Sequence, residues 1–194
     1  MSRLAGKLAI VTGGARGLGE AICRRFVAEG CKVVVMDVDA ETGASLVKEL
    51  GAADCIKVDV SDQGSVAAAF QLFCERHERL DILVNNAGVV GEQKPLAEQS
   101  DEEWQRIMRV NLDGAFYVLR AALNIMLKQD TSGCIVNMAS ICGLIGWKNI
   151  GPYTATKGAL VSLTRSTAIE YGKKNIRVNA LAPTAVLTPM VKEF

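Results

Sequence analysis

The chain has 194 residues, with 22 basic and 21 acidic side chains and a net charge of +1. That length suits a single domain able to bury its own core, and a composition of 49% apolar and 22% charged residues excludes long disordered stretches. With no basic run and no acidic tail, neither nucleic acid nor an anionic membrane surface is expected as a partner.

In chain order, Leu8–Thr12 reads as a short apolar strand that runs into a glycine-rich turn. Leu18–Glu29 then has helical spacing, with Ile22, Phe26 and Val27 on one face. Lys32–Asp37 is a β-branched strand, Ala40–Leu50 a helix, Cys55–Val60 a strand, Ser65–Arg76 a helix and Ile82–Asn85 a short strand. Gly88–Gln99 lacks periodicity and reads as a surface loop. Asp101–Lys128 is one long helical stretch in which Trp104, Ile107, Met108, Leu112 and Phe116 recur at helical spacing. Cys134–Met138 is a strand, Tyr153–Tyr171 a helix and Arg177–Ala182 a strand. Short apolar strands alternating with helices predict an α/β fold, a doubly wound parallel sheet of the Rossmann type in three layers, over residues 1–194 as one domain.

The six cysteines (Cys23, Cys31, Cys55, Cys74, Cys134, Cys142) show no paired C-x-x-C spacing and read as buried or half-buried free thiols. With no long apolar leader and no run approaching a membrane span, the cytoplasm is the expected compartment. His77 is the only histidine and reads as a surface residue at a polar helix end. No Cys/His/acid cluster has metal-ligand spacing, so no metal site is expected.

The segment Thr12-Gly13-Gly14-Ala15-Arg16-Gly17-Leu18-Gly19 lies between the first strand and the first helix. Gly13 permits the tight turn, Gly17 lets the backbone approach a pyrophosphate, and Gly19 allows close helix–strand packing. The helix that follows offers unpaired N–H groups and the positive end of its dipole to phosphates. An ordinary glycine turn would look similar, but the strand-to-helix context favours a dinucleotide. Asp37 ends the second strand, where an acid can bond the adenosine ribose and repel a 2′-phosphate. Arg16 argues the other way, since it can pair with such a phosphate. NAD is therefore expected over NADP. Asp37 reads alternatively as a helix-start acid, with Asp39 available to cap the next helix.

The glycine loop, Asn85-Asn86-Ala87-Gly88, Ser140 and Tyr153-x-x-x-Lys157 occur together and in order. As an ordered set, they resemble the short-chain dehydrogenase/reductase family from about Leu4 to Met190. The resemblance implies that Asp59 and Val60 contact the adenine, although Asp59 could equally be a strand-end acid next to the helix cap Asp62. It implies that Asn86, Ala87 and Gly88 border the cofactor, where a plain turn is the other reading. It also implies that Asn111 helps hold a water linking the active-site lysine to solvent; taken alone, Asn111 is an exposed mid-helix residue.

Tyr153 and Lys157 stand one helical turn apart and share a face. The ammonium is expected to lower the phenol's pKa so that Tyr153 can take a proton from an alcohol or give one to a ketone oxygen. Without the companion motifs, this pair would be a helix-surface contact. Ser140, otherwise a turn serine, can hold the reacting oxygen by its hydroxyl. The resemblance adds that Lys157 bonds the nicotinamide ribose, that Pro183 and Thr188 contact the nicotinamide end, and that hydride passes between substrate and cofactor. Thr188 reads alternatively as a loop hydroxyl before Pro189.

Two departures from the family pattern matter. Pro183-Thr184 stands where the family usually has Pro-Gly, and Thr184 lacks glycine's freedom at positive φ and adds bulk. The chain also stops at Phe194, shorter than usual for the family. The lid helices, a following large helix and the last sheet strand are therefore expected to be missing, leaving the sixth strand as an edge. Val89, Val90, Ile141, Cys142, Leu144 and Trp147 flank the motifs and would line an apolar pocket or simply pack. Cys142 and Trp147, with Ser140 and Tyr153, are the expected substrate contacts, for a secondary alcohol or ketone of alicyclic or steroid-like character. The Asp101–Lys128 and Tyr153 helices are the face on which the family usually pairs, so a homodimer or homotetramer is expected. The rival reading is a catalytically weak dinucleotide-binding or subunit-pairing protein without a C-terminal substrate lobe.

Overall fold

The computed structural model of the chain describes residues 2–188; Met1, Pro189 and Met190 lie outside the described residues. Strands β1 (Leu8–Thr12), β2 (Lys32–Asp37), β3 (Asp54–Lys57), β4 (Ile82–Asn85), β5 (Gly133–Met138) and β6 (Ile176–Leu181) form one sheet in the order β3-β2-β1-β4-β5-β6. Every neighbouring pair is parallel. This is the Rossmann-type order, and it reverses between β1 and β4. At that reversal the helices leave to opposite faces and a crevice opens beyond the strand ends.

Side-chain alternation along each strand separates two cores. Ile10, Val34, Met36 and Ile135 point to one face, under helices α3 (Gln63–Arg76), α5 (Gly114–Met126) and α6 (Gly151–Tyr171). Ala9, Val11, Val33 and Val35 point to the other face, under α1 (Gly17–Ala28) and α2 (Ala40–Leu50). The central strands β1, β2 and β4 are buried on both sides because both sides are covered, whereas β6 alternates buried Ile176 and Val178 with exposed Arg177 and Asn179. Among the described residues, no helix is long and apolar enough to cross a membrane.

Several boundaries differ from the sequence reading, each for a local reason. β3 ends at Lys57 rather than Val60, because the Asp59 carboxylate accepts from the Ser61 N–H (2.9 Å) and hydroxyl (2.7 Å) and turns the chain there. α3 starts at Gln63, where Asp62 caps it by accepting from Gly64 and Ser65. The long stretch after Ser100 is not one helix. It is α4 (Asp101–Met108), a π-helical turn (Arg109–Asp113) and then α5. The wider turn carries Asn111 and delivers Gly114 against Val60, where a Cβ would stand 2.7 Å from the Val60 carbonyl oxygen. α6 starts at Gly151, two residues before Tyr153, because Pro152 fits the first turn of a helix. Gly88–Gln99 is irregular except for one 3₁₀ turn, Leu96–Glu98. The six thiols are free, but Cys74 is exposed rather than buried.

At the opposite end of the sheet from the crevice, the buried Asp81 carboxylate ties β1 to β4. It accepts from the Leu8 N–H (2.8 Å) and from Arg79 (3.0 Å), with Lys7 at 3.6 Å. Asp81→Ala leaves a buried N–H and two cations without their acceptor. The variant is expected to lose about 2–3 kcal/mol, read as a lower urea midpoint at unchanged denaturant slope.

Candidate active site

The strand ends and the glycine loop enclose a cleft of about 610 Å³. Gly13, Arg16, Gly17, Leu18 and Gly19 line one end, and Ser140, Tyr153, Lys157, Pro183 and Thr188 the other. Asp37, Asp59, Val60, Asn86, Ala87 and Gly88 lie between them. All the residues expected to contact a dinucleotide therefore share one cavity.

The glycine end is closed to side chains. Gly13 (φ +61°) would place a Cβ 2.9 Å from the Ala87 Cα, and a Cβ on Gly19 would overlap the Gly13 carbonyl. Asn86 stitches the loop to β4: its Nδ2 donates to the Thr12 carbonyl (2.9 Å) and the Gly13 carbonyl (3.1 Å). Thr12 answers through its hydroxyl, which accepts from the N–H groups of Asn86 (2.9 Å) and Ala87 (3.1 Å). Sequence reasoning placed Thr12 in the loop without giving it this role. Arg16 occupies the N-cap of α1 in extended conformation and gives the helix no side-chain cap, so its first N–H groups face the cleft.

At the end of β2, Asp37 accepts from the Ala15 N–H (2.9 Å) and the Asp39 N–H (3.0 Å). Asp39, not Asp37, caps α2 by accepting from the Thr42 N–H (3.0 Å), and it also pairs with Arg16. Asp59 is exposed, with its carboxylate engaged by Ser61, while Val60 is buried beside it.

At the other end, Lys157 is only 5% exposed, and its Nζ donates to the Met138 carbonyl at the end of β5 (2.7 Å). The same nitrogen lies 5.5 Å from the Tyr153 ring centre. A Cβ on Gly88 would stand 3.2 Å from Asn111 Oδ1 and 3.5 Å from Lys157 Nζ, so these groups share one corner of the cleft. Asn111 is buried rather than exposed. Its amide accepts from the Val89 N–H and donates to the Val89 carbonyl, both at 2.8 Å, and reaches the Thr156 hydroxyl at 3.3 Å. Thr156 in turn donates to the Tyr153 carbonyl (2.7 Å). Sequence reasoning passed over Thr156, although a hydroxyl next to Lys157 and three residues beyond Tyr153 was the available signal.

Ser140 caps a 3₁₀ turn, Ile141–Gly143, by accepting from the Cys142 N–H at 3.2 Å. That turn presses against α6, where a Cβ on Gly143 would meet the Lys157 backbone carbon at 2.6 Å. This glycine was also not singled out, because its need arises from a contact with a distant helix.

Burial pushes the Lys157 amine down to about 8. Burial also raises the Tyr153 phenol above its ordinary value, with Ser140 offsetting part of the rise. The sequence reading expected Lys157 to lower it. The difference arises because the phenol is buried and the ammonium is turned toward the Met138 carbonyl.

Of the expected substrate contacts, Ser140 and Tyr153 line the cleft. Cys142 is half-buried outside its lining, and Trp147 is 60% exposed. Val89 lines the cleft, whereas Leu144 is exposed. Thr184 lines it too, and it is not among the residues at positive φ, so the glycine it replaces is not required for backbone conformation here.

A family model described as short chain dehydrogenase matches residues 7–194. A 3-alpha-(or 20-beta)-hydroxysteroid dehydrogenase of Mycobacterium tuberculosis is 43% identical over 189 residues, covering 97% of this chain and 72% of its own. A levodione reductase of Leifsonia aquatica is 39% identical over 197 residues, covering 98% and 73%. Among solved structures, a 3-ketoacyl-(acyl-carrier-protein) reductase from Brucella melitensis complexed with NADH superposes with a TM-score of 0.94 at 34% identity, over 98% of this chain and 80% of that one.

The buried amine makes a pH-dependent contribution to stability. Lys157 keeps its proton up to about 10.5 when unfolded but only to about 8 when folded. Between these values the unfolded chain binds the extra proton, so this group makes stability rise with pH there and exerts its full penalty below. Relative to Lys157→Met, the wild type is expected to gain roughly 2–3 kcal/mol between pH 7 and pH 10, at about 1.4 kcal/mol per pKa unit. Chemical denaturation at the two pH values checks this, and parallel curves would remove the buried-amine assignment.

Proposed function

Because the chain belongs to the short-chain dehydrogenase family, we propose that it interconverts a secondary alcohol and its ketone with NAD(H), using Tyr153 as acid and base. The observation that carries this reading is the cleft itself: a glycine cradle closed to side chains at one end and the Tyr153–Lys157 pair at the other. A nicotinamide dinucleotide fits these residues. Gly13, Gly17, Gly19 and the start of α1 would take the pyrophosphate, and Asp37 the adenosine ribose, with Asp59 and Val60 beside the adenine. Asn86, Ala87, Gly88, Pro183 and Thr188 would border the nicotinamide half. When bound, the cofactor supplies or accepts the hydride.

The chain's own residues handle the proton and the oxygen. Ser140 holds the reacting oxygen through its hydroxyl, and Tyr153 moves the proton to or from it. Its phenol is raised by burial, so ionisation near neutrality needs a positive charge close by. Lys157, whose Nζ lies 5.5 Å from the Tyr153 ring centre and donates to Met138, would have to turn from that carbonyl toward the phenol to supply it, and with its amine at about 8 it still carries its charge at neutral pH. Asn111 positions both sides of this corner, tying Val89 to the first turn of α6 through Thr156. We read residues 1–194 as one dinucleotide-binding and catalytic unit, NAD as favoured over NADP because of the acids after β2, and the cytoplasm as the compartment because free thiols suit a reducing milieu. Trp104 on α4, Phe116 on α5 and Ile169 on α6 are exposed, which supports self-association through these helices into a homodimer or homotetramer.

Tyr153→Phe is expected to cut ketone turnover by at least about 100-fold while NADH still binds, as read by fluorescence titration. An active phenylalanine variant removes Tyr153 from the reaction. A wild type that binds NADH but turns over no ketone supports the weakly catalytic reading instead. Phe116→Glu is expected to shift the native mass toward the monomer in light scattering, because it places a charge on that apolar helix face.

A further inference from the structure

Opposing signals meet just after β2. Asp37 presents a carboxylate suited to the two hydroxyls of an unphosphorylated ribose, while Arg16 offers the guanidinium that a 2′-phosphate would use. Both line the cleft, together with Val38 and Asp39. The guanidinium is already committed: its Nη2 donates to Asp39 Oδ2 and, at 3.2 Å, to the Thr42 hydroxyl.

Asp39 is anchored independently of Arg16. Its Oδ1 accepts from the Thr42 N–H (3.0 Å), its Oδ2 accepts from the Thr42 hydroxyl (2.9 Å), and its own N–H donates to Asp37 Oδ1 (3.0 Å). The first turn of α2 therefore fixes the carboxylate, and the carboxylate fixes the arginine.

We propose that Asp39 is a specificity-determining latch: it holds Arg16 against α2 and so disfavours a dinucleotide carrying a 2′-phosphate. The inference rests on the reading of this cleft as a dinucleotide site. With the latch closed, Arg16 and Asp39 satisfy one another, and Asp37 is left as the uncompensated charge facing the ribose. A phosphate there meets repulsion, whereas ribose hydroxyls can donate to Asp37. With the latch open, the guanidinium fork is free to grip a phosphate with two hydrogen bonds. The Arg16 side chain is 65% exposed, so the ion pair itself contributes little to stability. Its effect lies in where it points the arginine.

The test titrates NADH and NADPH by fluorescence against wild type, Asp39→Asn, Asp39→Ser, Arg16→Gln and the Arg16→Gln/Asp39→Asn double variant. Asparagine and serine both keep a side-chain cap for α2, so either can serve if the other folds poorly. The NADPH-to-NADH affinity ratio is expected to rise about ten-fold in each Asp39 single variant, the scale of one charge-assisted hydrogen bond. That rise should be absent when Arg16 is already glutamine, and should shrink as salt is added. An equal rise in both backgrounds would mean that Asp39 acts only through its own charge, and would overturn the latch. An unchanged ratio in a wild type and variants that bind NADH overturns the latch alone. A wild type that takes up neither dinucleotide overturns the underlying reading, and the latch with it.

Discussion

The candidate site is organised around a single buried ammonium. Lys157 has left water to donate to the carbonyl that ends β5, and that bond joins the helix carrying Tyr153 to the sheet. Burying an amine is costly, and the cost appears as a proton held less tightly than in solution. It is tolerated because the surroundings are fixed from several directions. Gly143 lets the Ser140 turn lie against the Lys157 backbone, and Gly88 leaves room beside Asn111 Oδ1, which a Cβ would approach to 3.2 Å. Serine, tyrosine and lysine thus come from two elements pressed together at glycines, not from one flexible loop.

The same rigidity extends through the core beneath the site. The Asn85 amide, on β4, donates to the Ala115 carbonyl (2.8 Å) and to Asn137 on β5 (3.2 Å), and Asn137 donates to Thr164 on α6 (2.9 Å). Thr164 donates in turn to the Leu160 carbonyl (2.7 Å). A buried polar chain of this kind is favourable only when each member finds a partner. Here it links β4, β5, α5 and α6; Tyr153 and Lys157 lie on α6, and Ser140 follows the end of β5 by two residues.

Acidic residues near the strand ends divide the work in a regular way. At the end of β2, Asp37 lines the cleft and Asp39 caps α2; just past β3, Asp59 lines the cleft and Asp62 caps α3. In each case the carboxylate at the strand end stays with the crevice, and the next one satisfies the orphan N–H groups of a helix start. Capping at α2 also decides where Arg16 points, so a local helix signal changes the electrostatics of the cleft.

Much of this was legible in the residues themselves. Alternating apolar strands and periodic helices specify a parallel sheet covered on both faces, and glycines between the first strand and helix mark where a backbone must come close to something. Tyr153 and Lys157 share a helix face because of their spacing alone. What the sequence could not decide depended on contacts between distant segments. The break of the long helix into a π turn follows from Asn111 and Gly114 meeting Val89 and Val60. The roles of Thr12, Thr156 and Gly143 exist only once β4, the Asn111 turn and α6 are packed against them. The raised phenol of Tyr153 has the same origin: spacing sets which groups are neighbours, but burial and the direction of the Lys157 hydrogen bond, which only the assembled fold determines, set the energy of their charges.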